Sequence, residues 1–133
     1  MRSIRTLSSS RHGQSVVEMA LLLPVFILCT LGMVDLGRAV YAEIALTEAV
    51  REGCRDAIVS PTVNSNAQVI QSVQQAAVGI TVLAGNVTIS GSRTSGSTVT
   101  ISASYTFVPI TPLIQQFAGS SLQLRASSVM IVD

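Results

Sequence analysis

The longest feature of the hydrophobic pattern is an apolar run near the start of the chain. From Val16 to Val34 the only charged residue is Glu18. As a helix with a rise of about 1.5 Å per residue, this run would be roughly 28 Å long, close to the ~30 Å thickness of a bilayer core. The pattern therefore predicts a transmembrane helix over residues 14–35.

The helical pattern continues past the apolar run and becomes amphipathic over residues 36–60. Positions three or four apart form one apolar stripe, which we predict to pack on the rest of the protein. Its members are Leu36, Val40, Ile44, Thr47, Val50 or Arg51, Cys54 and Ile58. Two pairs of opposite charge, Glu48 with Arg51 and Glu52 with Arg55, are predicted on a solvated face of this helix.

Residues 61–133 have the pattern of a small domain with a second helix followed by strands. The helix is predicted over about residues 66–78, with Asn64 or Ser65 as its cap. The period then changes to two, which is typical of strands with one buried face. The predicted strands lie within residues 87–90, 99–107 and 122–132, and one helical turn is predicted at 113–117. We therefore predict an α+β fold in which an antiparallel sheet of about three strands packs on the amphipathic half of the long helix.

Charge is unevenly distributed along the chain, although the total is nearly neutral, with eight arginines, no lysine and seven acidic residues. Arg2, Arg5 and Arg11 all precede the apolar run, and no acidic residue lies among them. The positive-inside rule predicts a cytoplasmic leader, residues 1–13, and an extracytoplasmic location for everything after Val34. An ordinary secretory signal fits poorly, because its apolar region is usually about 7–15 residues and ends at a small-residue cleavage site. The charge balance also excludes the basic surface of a nucleic-acid-binding protein.

The sequence offers little catalytic or metal-binding chemistry. The single histidine, His12, lies in the predicted leader, and the extracytoplasmic part has no acidic cluster with metal-ligand spacing. We therefore predict a protein that is not an enzyme and that uses no cofactor, metal or small-molecule substrate. Cys29 and Cys54 would lie about 37 Å apart on one helix, too far for a disulfide within the chain. A packed free thiol at Cys54 is favoured over a bridge between chains.

Gly13, Gln14 and Glu18 form a constellation in front of the apolar run. Because Gly has no side chain, a protease can reach the bond that follows it in an extended chain. Cutting there would remove the leader arginines and leave Gln14 with a free amine. The amine and Glu18 are both costly near lipid, and pairing them would fix the axial register of assembling subunits. The alternative is a Glu18 that reaches the lipid headgroups and has no further role.

Several blocks of this sequence resemble the TadE-like family of pilin-related proteins from the tight-adherence (Flp, type IVc) pilus systems of bacteria. The blocks are Gly13–Pro24, Asp35–Arg38 and Ala49–Arg55, and the segment from Tyr105 to Leu113 is also similar. The resemblance implies a pilin-like architecture, with a long N-terminal helix and a small α+β domain. We call this domain, residues 61–133, the head. It also implies a minor pilin or pseudopilin, because major Flp pilins are much shorter than this chain.

The resemblance further implies that a membrane-bound prepilin peptidase cuts the chain between Gly13 and Gln14, which makes Glu18 the fifth residue of the mature protein. The implied partners are the peptidase, other pilins and the pilus assembly machinery at the inner membrane. The mature chain is expected to be a single-pass protein there or to enter an extracellular pilus. A second hypothesis stays open: an uncleaved, membrane-anchored interaction protein of an envelope or secretion complex, which would keep residues 1–13.

Overall fold

The computed structural model describes residues 11–59 and 65–132, and it shows an α+β protein with a long N-terminal helix. The elements are α1 (Arg11–Val59), α2 (Asn66–Ala76), β1 (Val87–Gly91), β2 (Thr98–Phe107), α3 (Pro112–Ala118) and β3 (Leu122–Ile131). The predicted fold class, with a second helix and a three-stranded antiparallel sheet, is confirmed. Most of the predicted leader and the possible helix cap Asn64 lie outside the described residues.

Helix α1 is one continuous rod of 49 residues. It begins at Arg11, slightly before the predicted start near Gln14, and it passes through Pro24 without ending. Proline has no N–H to donate to the carbonyl of Ala20, and membrane helices tolerate such a gap. Within the described residues, the segment Gly13–Val59 is long and apolar enough to cross a membrane.

The three strands form an antiparallel sheet in the order β1-β2-β3. Ile101 of β2 pairs with Ile89 on one side and with Ser128 on the other, which confirms the predicted strands. Since side chains alternate between the faces of a sheet, one face carries the apolar residues that join the core. Those side chains are Val87, Ile89, Val99, Ile101, Ala103, Tyr105, Leu124, Ala126 and Met130. The other face carries Ser and Thr, such as Thr100 and Ser102.

Two contacts show how the sheet runs along α1. At the end of β2, the ring centre of Phe107 lies 5.2 Å from Cζ of Arg38. Further up the helix, Sγ of Cys54 donates a hydrogen bond to the carbonyl of Ser128 in β3 at 3.3 Å. The connection from β2 to β3 therefore lies at the end of the sheet nearest the apolar half of α1. We call this connection, residues 108–121, the span-proximal tip.

The face of α1 that packs on the head differs from the predicted stripe. Leu36, Val40 and Ile44 are 66%, 48% and 58% exposed, so the first half of that prediction is wrong. Small residues dominate the face that is buried in their place. It consists of Ala42, Leu46, Ala49, Val50, Gly53, Cys54 and Ala57. Small side chains allow the backbone of α1 to approach the sheet and α2 closely, which large residues at the same positions would prevent.

Helix α2 packs against α1 through Val69 and Val73, both of which are fully buried. Its start is fixed by a reciprocal pair of hydrogen bonds. The Ser65 hydroxyl accepts from the N–H of Gln68, and the Gln68 side chain accepts from the N–H of Ser65 at 2.7 Å. This capping box satisfies two N–H groups that the helix itself leaves unpaired. The predicted cap is thus confirmed at Ser65.

The predicted charge pairs also form, on the outward side of α1. Nη1 of Arg51 lies 2.8 Å from Glu48, and Nη2 of Arg55 lies 2.9 Å from Glu52. The Glu52 carboxylate raises the pKa of Arg55, because it accepts hydrogen bonds from the charged guanidinium. Both pairs are solvated, so each contributes only a few tenths of a kcal/mol to stability.

Replacement of Gly53 by Ala is expected to destabilise the head by about 1–3 kcal/mol. A Cβ at this position would collide with Cγ2 of Val73, a fully buried and β-branched side chain that cannot turn away. Thermal unfolding in detergent micelles, followed by circular dichroism, measures the change.

The matched control is Gly37→Ala on the same helix. Among the described residues, no other side chain or distant backbone atom lies within 4 Å of a Cβ placed on Gly37, so this change should raise stability by about 0.5–1 kcal/mol. In the double variant, Val73→Ala should relieve part of the cost of Gly53→Ala. Equal melting temperatures for the two glycine variants would contradict the packing of α2 on Gly53.

Candidate functional site

The first turns of α1 carry the predicted processing and assembly residues. Gly13 and Gln14 lie in the opening turn of the helix, which begins at Arg11. The Gln14 side-chain amide donates a hydrogen bond to Oε1 of Glu18 at 3.2 Å, one turn further along. The structure therefore brings Gln14 and Glu18 together on one face of the helix, with Gly13 directly before them.

The apolar half of α1 is uncovered in the described part of the chain. Large side chains protrude along its length, among them Met19, Phe26 and Met33, which are 67%, 70% and 74% exposed. An exposed apolar surface of this extent is the mark of a helix that is covered by lipid or by other apolar helices. Glu18 is exposed on this same half of the helix.

The exposed apolar surface continues into the amphipathic half of α1. Leu36, Val40 and Ile44 are all about half exposed or more, and they extend the uncovered surface beyond the apolar run. The head covers the small-residue face of the helix instead. The larger apolar residues of this part of α1 are consequently available to a partner.

Asp35 joins α1 to the span-proximal tip. Its side chain is 3% exposed. Oδ1 accepts a hydrogen bond from the N–H of Ile110 at 3.0 Å, and Oδ2 accepts one from the N–H of Thr111 at 2.7 Å. Nη1 of Arg38, one turn along the helix, donates to Oδ1 at 3.1 Å. Because each carboxylate oxygen accepts a hydrogen bond from a different backbone N–H, Asp35 fixes the position of the tip on the helix.

Arg38 extends this junction to the end of β2. Its guanidinium lies over the ring of Phe107, in a cation–π arrangement, while it also contacts the Asp35 carboxylate. The side chain is 44% exposed, so it forms the outer boundary of the junction.

Sequence reasoning used Asp35 and Arg38 only as parts of a motif and did not find their role. The available signal was the single acidic residue that closes the apolar run. Its partner Ile110 lies 75 positions away in the chain, a distance over which no local pattern predicts a contact. The hydrogen bonds of Asp35 hold the span-proximal tip against α1. Within the described residues, no group of three or more His, Cys, Asp or Glu side chains could hold a metal ion.

The α1 residues of both sites fall within a segment that matches a known family. Residues 13–55 match the TadE-like protein family. The match begins at Gly13, spans Gln14, Glu18 and Asp35, and ends at Arg55. It confirms the resemblance drawn from the sequence, while the second helix and the sheet lie outside the matched segment. No curated protein and no solved structure matched the chain.

The TadE-like match indicates a protein associated with Tad pili. Together with the apolar helix, it indicates that the chain is anchored in a membrane. The TadE-like segment contains the whole uncovered surface described above, together with Asp35 and Arg38 from the helix side of the junction. It therefore supplies both the apolar rod and the attachment point for the head.

Proposed function

We propose that this chain is a TadE-like minor pilin or pseudopilin that acts in the assembly of a tight-adherence pilus. One observation carries the proposal: the head packs on the small-residue face of α1 and on the Asp35 junction, and it leaves the rest of the helix uncovered. The other apolar surface of the helix stays open from the membrane span to Ile44. Pilin-type assembly requires a helix of this kind. Its apolar side first contacts lipid and then contacts neighbouring helices, while the head stays folded.

The exposed part of the amphipathic half supports the same proposal. Leu36, Val40 and Ile44 lie four residues apart, so they form a ridge along one side of the helix. Ridges at this spacing pack into the grooves of a neighbouring helix. A permanent lipid anchor needs apolar residues only within the bilayer core, whereas this ridge continues past Asp35.

Processing after Gly13 is the second part of the proposal. The bond lies in the first turn of α1, where the N–H groups have no partner within the helix, and glycine stabilises a helix less than other residues do. A prepilin peptidase could therefore unwind this turn at low cost. The new amine of Gln14 would pair with Glu18 four residues on, inside one helix or between neighbours.

The proposed topology follows the arginines of the leader. With residues 1–13 in the cytoplasm, the span at 14–35 crosses the inner membrane once and the head is extracytoplasmic. The proposed partners are the prepilin peptidase, other pilins and the assembly machinery. The TadE-like family is pilus-related and non-enzymatic, which agrees with a role in assembly without catalysis.

The test is the intact mass of the protein isolated from its native membrane, with N-terminal sequencing. We expect a chain that begins at Gln14 and lacks the leader arginines. A Gly13→Leu variant should keep its leader, since a side chain would block access to the bond, while Gly37→Leu should be processed normally. A native chain that still begins at Met1 would overturn the processing step.

A second candidate function is an uncleaved, membrane-anchored interaction protein of an envelope or secretion complex. The observation that favours it is the continuity of α1 from Arg11 across Gly13 and Gln14, which leaves the bond helical and not extended. Under this hypothesis the mass measurement finds the leader intact, and the head and the ridge bind a partner within the envelope.

A further inference from the structure

The span-proximal tip lies at the level of the membrane-spanning segment. Asp35 holds the backbone of Ile110 and Thr111 directly against α1. One turn lower, a Cβ placed on Gly32 would lie 4.0 Å from Cδ1 of Ile114 in α3. Because Gly32 belongs to the apolar run, α3 reaches below the point where the chain leaves the predicted span.

The tip carries no charge and exposes large apolar side chains. Residues 108–121 contain no charged side chain. Val108 and Ile110 are 52% and 62% exposed, and Leu122 at the start of β3 is 46% exposed. The opposite end of the sheet is different, because the turn between β1 and β2 consists of Ser, Arg, Thr and Gly. The tip is therefore suited to an apolar environment, and the hairpin turn is suited to water.

An apolar groove joins the tip to the helix. Its volume is about 370 Å³, and its lining includes Gly32, Leu36, Ala39, Pro109, Ile114 and Leu122. The lining residue Leu36 also belongs to the exposed apolar surface of α1, where it is 66% exposed. Arg38, 44% exposed, lies one turn above it, where its charge suits the phosphate level of a bilayer.

We propose that the span-proximal tip is a second membrane contact, which inserts Val108 and Ile110 into the outward-facing interface of the bilayer. The occupant is lipid because the surface is continuous with the membrane span and lies at its level. The head would then rest on the bilayer in a fixed orientation, with the hairpin turn facing away. The inference rests on the membrane anchoring of the proposed function and on neither processing nor pilus assembly.

The experiment uses tryptophan fluorescence, since the chain contains no native tryptophan. Single variants Ile110→Trp, Ser95→Trp and Phe26→Trp are reconstituted as full chains in phosphatidylcholine–phosphatidylglycerol nanodiscs, one chain per disc. Lipids brominated near the headgroup, or deep in the acyl chain, quench a tryptophan that lies at their depth. We expect blue-shifted emission and strong shallow quenching for Ile110→Trp, and red-shifted, iodide-quenched emission for Ser95→Trp.

Phe26→Trp reports on the membrane anchor, so anchoring and the tip contact are tested separately. If Phe26→Trp is quenched by deep bromines and Ile110→Trp behaves like Ser95→Trp, the tip contact is overturned and anchoring stands. If Phe26→Trp is not quenched, anchoring fails and the tip contact fails with it. A blue shift of Ile110→Trp that appears only with several chains per disc would mean that a second copy covers the tip, which also overturns the proposal.

A charge at the tip provides an independent check. In the Ile110→Trp chain, Val108→Asp should reduce the lipid quenching and shift the emission to the red. Val129→Asp is the matched control: it changes the same residue type at 59% exposure, on the outer face of β3. Equal responses to the two aspartates would count against lipid contact at the tip.

Discussion

Asp35→Asn is expected to lower the melting temperature of the head by roughly 10 °C, although the two side chains are almost the same size. Each carboxylate oxygen of Asp35 accepts a backbone hydrogen bond, one from Ile110 and one from Thr111. Asparagine replaces one of these oxygens by an NH₂ group, which places a donor against a donor in a buried site. One backbone N–H then loses its partner, and the contact with Arg38 loses its charge.

Amide hydrogen exchange in detergent micelles measures the effect at the site itself. The N–H groups of Ile110 and Thr111 should lose protection in Asp35→Asn, while those in the centre of β2 should lose less. Glu48→Gln is the matched control, because it removes a 62% exposed acid whose salt bridge is to the equally solvated Arg51, and it should leave the melting temperature almost unchanged. Unchanged protection at residues 110 and 111 would rule out the role we give to Asp35.

Glu18→Ala is expected to reduce incorporation into the pilus about 100-fold, while the chain is still processed and still reaches the membrane. Under the proposed function, the amine of Gln14 enters an apolar helix bundle and needs the Glu18 carboxylate as its partner. An unpaired charge inside a membrane costs about 2.5–3.5 kcal/mol, which corresponds to this loss of association. The measurement compares the variant in sheared pili with the variant in the membrane fraction.

Two further variants separate charge from other effects. Glu18→Gln keeps an acceptor for the Gln14 amide but removes the charge, so it should fail nearly as badly as Glu18→Ala. Glu43→Ala removes an exposed acid from the amphipathic half of the same helix and should assemble normally. Normal assembly of Glu18→Ala would leave Glu18 as a residue that merely reaches the headgroups.

Much of the architecture follows from local pattern. The length and composition of the apolar run predict a helix able to span a bilayer, and the alternation at residues 99–107 and 122–132 predicts β2 and β3. Ser65 followed three residues later by Gln68 predicts the start of α2. These signals are readable because each depends on one continuous stretch of the chain.

The local sequence pattern predicts the elements, their order, an apolar span whose single internal charge is Glu18, and the TadE-like motifs from Gly13 onward. The tertiary structure alone decided which side of α1 meets the head, because both sides of that helix carry apolar residues. The small-residue side is buried since close approach to the sheet and α2 requires it, and the ridge of Leu36, Val40 and Ile44 stays exposed. The tertiary structure also decided the role of Asp35, because its two backbone partners come from the far end of the chain and meet it only when β2 returns along the helix.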